Sequence, residues 1–122
     1  MTECPSYARR GAYIGTTIRD AWWRRYRRSG FLARGSGRYW LDGRGFHFLR
    51  ALTKRPLLIP ASAIVRTSTS SWHAGRWGGG IPILRIHWER DGVELISGFV
   101  VARGRDAVDK VARDITAFAS RG

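Results

Sequence analysis

The chain has 122 residues, of which 43% are apolar and 12% aromatic, and this composition predicts one globular domain that buries its own core. Its 22 basic and 9 acidic side chains give a net charge of +13, which attracts polyanions. Cys4 is the only cysteine, so an intramolecular disulfide and an intrachain thiolate metal site are excluded. No apolar run approaches the length of a membrane span or of a secretory signal, and we expect a cytoplasmic protein.

The basic residues are concentrated toward the N-terminus. Residues 1–55 carry 13 basic and 3 acidic side chains, whereas residues 56–122 carry 9 and 6. Two interpretations of this excess stay open. It is either a functional basic surface or a solvated charged face that follows from arginine-rich composition alone.

The first elements in chain order are an arm and a helix. Residues 1–15 show no sustained periodicity and predict a loose arm. From residue 16 to 29, Ile18, Ala21, Trp22 and Tyr26 recur at helical spacing, which predicts a basic amphipathic helix.

Two hairpins and a final helix follow. The segments 38–42 and 46–50 flank a Gly43-Arg44 turn and predict a hairpin in which Tyr39 faces Phe48 and Leu41 faces Phe46 on the core side, with Trp40 and His47 on the other. The segments 82–90 and 93–101 flank Asp91-Gly92 and predict a second hairpin. Its register sets Trp88 beside Leu95, Ile86 beside Ser97 and Leu84 beside Phe99. Apolar spacing predicts a helix over residues 105–119.

Between the hairpins, residues 57–59 predict a short strand that ends at Pro60, and residues 63–69 predict another. The glycine-rich segment 71–80 predicts a long connecting loop. The segment 31–34 is the candidate for one further strand.

This order of elements, with Leu58-Ile-Pro-Ala-Ser-Ala-Ile64 and Gly98-Phe-Val100, resembles bacterial pleckstrin-homology-like (PH-like) domains over residues 38–119. The resemblance implies a mainly β fold with helices (α+β). The implied fold is a partly open antiparallel barrel of about six to seven strands within residues 30–122, capped by the C-terminal helix. The predicted N-terminal basic helix is an addition to this fold. Phosphoinositide recognition is not implied, because no eukaryotic lipid-binding motif maps onto this sequence.

Two candidate binding surfaces combine aromatic and basic residues. The first, for an anionic lipid surface, comprises Trp22, Trp23, Arg24, Arg25, Arg27 and Arg28. The second, for a partner molecule, is the loop with Trp72, His73, Arg76 and Trp77. For each surface the competing interpretation is structural, because the same rings can pack on the barrel.

Catalytic, metal and cofactor sites are not predicted. The three histidines His47, His73 and His87 have no cysteine or carboxylate at ligand spacing. The glycines 78–80 lack the Gly-Lys-Ser/Thr ending of a phosphate-binding loop. Neither a nucleophile with its base nor a poised carboxylate pair is evident.

The sequence therefore predicts a non-catalytic adaptor that docks on an anionic membrane face or an acidic protein. Its location would be cytoplasmic, at the inner membrane face where it docks on lipid. The alternative is a nucleic-acid-binding protein that uses arginine–phosphate contacts and aromatic stacking. A third hypothesis is a module that only pairs with protein, including itself.

Overall fold

The computed structural model describes residues 4–19, 21–26, 31, 34–53, 55–73, 76–77 and 81–121. Ten strands and one helix lie in this part of the chain. They are β1 (Arg9–Ile18), β2 (Ala21–Arg25), β3 (Gly35–Asp42), β4 (Gly45–Arg50), β5 (Leu57–Pro60), β6 (Ile64–Ser70), β7 (Trp72–His73), β8 (Arg76–Trp77), β9 (Ile83–Arg90), β10 (Val93–Val100) and α1 (Arg105–Arg121). A single 3-10 turn, Ala61–Ala63, joins β5 to β6.

Eight strands form one antiparallel sheet in the order β5-β4-β3-β1-β10-β9-β6, with β2 paired to β1. The Phe46 ring on β4 and the Phe99 ring on β10 lie 4.6 Å apart. In a flat sheet these strands would be about 14 Å apart, so the sheet curls around its core face. The two ends of the sheet, β5 and β6, do not pair with each other, and the barrel stays open there.

The core fills the inside of this curl and is closed by the helix. Val108, Val111 and Ile115 of α1 are buried among aromatic and aliphatic side chains of the sheet. The predicted C-terminal helix is thus confirmed, since α1 presents its apolar spacing to the barrel. Within the described residues, α1 is too short and too polar to cross a bilayer, and no other helix is a candidate.

The first predicted hairpin is confirmed in register. Tyr39 pairs with Phe48 and Leu41 with Phe46. Trp40 pairs with His47 on the other face, where the two rings stack 4.9 Å apart at 4°. Gly43 and Arg44 connect the two strands, as the sequence predicts.

The second hairpin is also confirmed. Trp88 pairs with Leu95, Ile86 with Ser97 and Leu84 with Phe99. Asp91 and Gly92 have φ values of 54° and 78°, the two positive angles that a type I′ turn requires.

The predicted N-terminal helix is wrong, because residues 16–18 end β1 and residues 21–25 form β2. The chain reverses at Arg19, whose φ is 54° and whose amide donates to the Glu94 carbonyl at 2.8 Å. The Tyr26 amide donates to the Thr16 carbonyl at 2.9 Å, so β2 closes against β1. Long-range backbone pairing has overridden the apparent helical spacing, and the β-branched Thr-Thr-Ile run favours a strand.

The arm and the loop also differ from prediction. β1 begins at Arg9, so residues 9–15 belong to a strand and not to the predicted loose arm. In segment 31–34, neither described residue, Phe31 or Arg34, is in a strand, and Phe31 is buried in the core instead. The strands that complete the sheet are β1 and β2. Within the predicted loop 71–80, β7 and β8 pair as a short ribbon.

A β-bulge at Ile14 shapes the interior. Tyr13 pairs with Phe99 and Gly15 pairs with Gly98, so Ile14 is the extra residue in β1. Because of this insertion, Tyr13 and Thr16, three residues apart, both face the core. Their hydroxyl oxygens lie 2.5 Å apart.

Candidate functional site

The predicted lipid-binding surface lies on and after β2. Trp22, Trp23, Arg24 and Arg25 are in this strand. Arg24 is exposed, whereas Arg25 is half-buried, and a Cβ atom added at Gly15 would lie 2.7 Å from its guanidinium. The Trp22 and Trp23 side chains, and Arg27 and Arg28 altogether, lie outside the described part of the chain. The lipid surface therefore stays a prediction.

The predicted partner loop is the β7–β8 ribbon. Trp72 pairs with Trp77 and His73 pairs with Arg76, so the four residues are brought together in one two-stranded unit. Their side chains lie outside the described residues. Their role in binding also stays a prediction.

The two histidines with described side chains have protein partners. His47 Nε2 lies 2.8 Å from Asp42 Oδ1, and His87 Nε2 lies 2.8 Å from the Ser68 hydroxyl. Burial raises the pKa of Asp42, but the hydrogen bonds from His47 and from backbone amides outweigh it, and that pKa lies below its usual value. Among described residues, no three His, Cys, Asp or Glu side chains cluster as metal ligands do.

Sequence reasoning did not find the basic cleft formed by β1, β3, β4 and the loop after β4. Arg10 and Arg38 are direct cross-strand partners, so their side chains project from the same face. Arg50 ends β4 and pairs with Gly37, so its side chain projects from the opposite face, and Leu52 follows in the loop. The cavity measures about 540 Å³ and is lined by Cys4, Arg10, Ser36, Gly37, Arg38, Leu49, Arg50, Ala51, Leu52 and Thr53.

The arginine cleft, as we call this cavity, has a one-sided charge. Arg10 and Arg38 project from the face that bears it, Arg50 belongs to its lining, and no carboxylate is among the described lining residues. Two like charges placed directly opposite on neighbouring strands repel each other, so Arg10 and Arg38 are an electrostatic cost in the free protein. An anion between them would remove this repulsion and accept charge-assisted hydrogen bonds from both.

Leu52 gives the cleft an apolar rim. Its side chain is fully exposed, at 106% of the reference area, and its φ of 64° is unusual for a residue other than glycine. Leu49, the cross-strand partner of Arg38, lines the cleft below it. The cleft thus combines anion donors with one exposed aliphatic side chain.

A buried hydrogen-bond chain lies inside the barrel behind the cleft. The Trp88 indole N–H donates to Ser97 Oγ at 2.9 Å, and Ser97 Oγ lies 2.6 Å from Thr16 Oγ1. Thr16 Oγ1 lies 2.5 Å from the Tyr13 hydroxyl, which donates to the Phe31 carbonyl. Since an indole N–H only donates and a carbonyl only accepts, every hydroxyl between them must point toward Phe31.

Several arginines act on the Tyr13 end of this hydrogen-bond chain. Burial raises the pKa of the Tyr13 hydroxyl, while the Thr16 hydrogen bond and the charges of Arg25, Arg50 and Arg34 act to lower it. The Arg50 side chain thus projects from the same face of the sheet as the buried phenol. The basic character of the N-terminal half reaches from the surface to the core at this end of the barrel.

A comparison with protein families decides which family this architecture represents. The model of the family described as "Bacterial PH domain-like" matches residues 3–116. The chain belongs to the Bacterial PH domain-like family. A search of curated proteins found no match.

Membership extends the resemblance beyond residues 38–119, because the matched span includes β1 and β2. The open antiparallel sheet with one C-terminal helix is consistent with the PH-like fold. PH-like domains are generally non-catalytic binding modules. The functional question is therefore which surface of this PH-like domain binds, and what it binds.

Proposed function

We propose that this PH-like domain is a non-catalytic binding module that docks through the arginine cleft on an anionic membrane face. The observation that carries the proposal is the direct pairing of Arg10 with Arg38 in a cleft whose described lining residues include no carboxylate. Lipid phosphates would accept hydrogen bonds from these guanidinium groups and relieve their repulsion. In a cytoplasmic protein, this face would be the inner surface of the membrane.

Leu52 supports a lipid surface as the anionic partner. A fully exposed aliphatic side chain at the same cleft as Arg10 and Arg38 suits the boundary between headgroups and acyl chains. Each arginine near an anionic surface contributes about 1 kcal/mol, so binding by the cleft would be moderate and sensitive to salt. The exposed Arg24 on β2 would add to it if the predicted surface of Trp22, Trp23, Arg24, Arg25, Arg27 and Arg28 faces the same membrane.

Vesicle sedimentation with the full chain tests this function. Vesicles of phosphatidylcholine with increasing phosphatidylglycerol should bind more protein, and the double variant Arg10→Gln/Arg38→Gln should bind less. The matched control Arg44→Gln/Arg103→Gln removes the same charge from exposed positions outside the cleft. Equal loss in both variants would mean that net charge alone acts, and absence of binding would contradict the proposal.

The nucleic-acid alternative is tested with the same proteins. Fluorescence polarisation with single-stranded and duplex oligonucleotides at two ionic strengths measures affinity and salt dependence. Binding to oligonucleotides that is tighter than binding to anionic vesicles would favour the alternative. The ribbon with Trp72, His73, Arg76 and Trp77 remains the proposed contact for a protein partner, and light scattering tests self-association.

A further inference from the structure

The strand β6 forms a free edge of the sheet. It stands last in the strand order and pairs only with β9. Among the described residues, the backbone of residues 66–69 makes no hydrogen bond to any element except β9. Alternate residues of such a strand direct N–H and C=O groups outward, where another strand can pair with them.

The two ends of the sheet differ in how they are protected. At the other end, β5 has only four residues, and Pro60 within it and Pro56 before it cannot donate a backbone hydrogen bond. β6 has seven residues and no proline, and its one irregularity is the bulge at Val65. The free edge beyond Val65 therefore lacks the prolines and the short length that protect β5.

A groove runs along this edge between β6 and α1. One cavity of about 370 Å³ lies between Thr67 and the helix residues Ala112, Arg113, Thr116 and Ala117. A second, of about 260 Å³, is lined by Thr69, Ser70, Ser71, Ile81, Pro82 and Arg105. Thr67 and Thr69 are alternate residues on one face, so the cavities follow the two-residue period of a strand.

The charge around the groove favours an acidic occupant. Arg113 lines the first cavity and Arg105 lines the second, and both side chains are exposed. Arg105 Nε lies 3.7 Å from Asp109 Oδ1, and this exposed pair leaves the charge of Arg113 in excess. A second copy of the chain would bring a net charge of +13 against these arginines, which disfavours self-pairing.

We propose that the free edge of β6 and the adjoining face of α1 bind an extended acidic peptide of a partner protein, which adds to the sheet as one further strand. Backbone hydrogen bonds to residues 66–69 give affinity, and the two cavities receive alternate side chains. The site shares no lining residue with the arginine cleft. It therefore stands or fails independently of the membrane proposal.

Selection from a library identifies the probe. Random peptides as long as β6 are displayed on phage and selected against the immobilised full chain. The enriched peptides should alternate in polarity and be acidic. Their binding should shift backbone amide NMR signals of residues 66–69, and N-methylation should abolish binding at every second peptide position only.

Two variants of the same helix locate the site. Ala117→Trp fills the groove at an exposed position, and Ala107→Trp adds the same ring at an exposed position outside it. The first should weaken the selected peptide about tenfold or more, and the second less than about twofold. Arg113→Glu should weaken it as well, and it serves as the second variant if Ala117→Trp does not fold.

Several results would overturn the proposal. They are the absence of any enriched peptide, enriched peptides that shift amides in the arginine cleft or the ribbon instead, and equal effects of the two tryptophan variants. Binding without periodic sensitivity to N-methylation would also overturn it, because strand addition requires that period.

Discussion

Arg10 on β1 and Arg38 on β3 are direct cross-strand partners. Two guanidinium groups that share one face of a sheet repel each other, and none of the described residues that line the cavity is acidic. Such a pair costs stability in the free protein, and that cost is recovered when an anion binds. Stability and binding should therefore change in opposite directions when one of these arginines is neutralised.

Arg10→Gln should raise the free energy of unfolding by about 0.2–1 kcal/mol at low salt, the range for cross-strand charge pairs. The gain should fade in about 1 M salt, where the Debye length falls to about 3 Å. Urea unfolding at both salt concentrations measures it, with Arg103→Gln as an exposed control outside the cleft. A loss of stability in Arg10→Gln at low salt would show that the two charges do not repel each other.

The buried chain from Trp88 to Phe31 should be cooperative. Thr16→Val removes the hydroxyl that accepts from Ser97 and donates to Tyr13, and leaving these groups unpaired should cost about 1–3 kcal/mol. Adding Ser97→Ala should cost less than its effect in the wild type, because its partner is already gone. Denaturant unfolding of the four proteins gives the coupling, and strict additivity would exclude a connected chain.

Gly43 in the β3–β4 turn and Gly45 at the start of β4 provide a test variant and its control. Gly45 has a φ of 142°, and a Cβ added there would lie 2.1 Å from the carbonyl oxygen of Ile59, on the strand β5 that pairs with β4. At Gly43 no atom lies within 4 Å of an added Cβ. Gly45→Ala should lower the melting temperature strongly, whereas Gly43→Ala should leave it nearly unchanged. Equal effects would contradict the close approach of β4 and β5.

Asp42 should make stability depend on acidity. Its pKa is lowered in the folded state, so the stability it adds is complete above its unfolded pKa of about 3.9 and is lost as the pH falls through the folded value. Asp42→Asn keeps the shape but not the charge. Urea unfolding should find the wild type more stable at pH 5, with the difference shrinking as the pH falls below about 3.9. An unchanged difference would contradict the hydrogen bonds that lower this pKa.

The sequence predicts well where the signals are local. The Asp91-Gly92 and Gly43-Arg44 turns fix the register of their hairpins, because a two-residue turn determines which residues face each other. The helix α1 is likewise predicted by its own apolar spacing. In these elements, the residues that decide the structure are neighbours in the chain.

The N-terminal region could not be predicted in this way. β1 pairs with β3, more than twenty residues later, and with β10, more than seventy residues later. Ile18, Ala21, Trp22 and Tyr26 fall at helical spacing although they belong to two strands and their flank. The Gly15 position, with a φ of 137° beside the Arg25 guanidinium, marks a bulged strand only once its partners are known.

The arginine cleft was missed for the same reason. Arg10 and Arg38 lie 28 positions apart, and only the pairing of β1 with β3 brings them together. With residues 1–15 interpreted as a loose arm, Arg10 had no predicted neighbour. The one local signal was Leu52, an aliphatic residue in the segment between β4 and Pro56. Its exposure is evident only from the structure.

The depth of residue 52 in a bound membrane tests the docking proposal most directly. A nitroxide attached to Leu52→Cys, in a Cys4→Ser background, reports its surroundings by power-saturation EPR on vesicles that contain phosphatidylglycerol. The account predicts that binding makes the label more accessible to oxygen and less accessible to a water-soluble relaxant. A label at position 52 that stays in water while the protein is bound would contradict it, as would a protein that does not bind these vesicles.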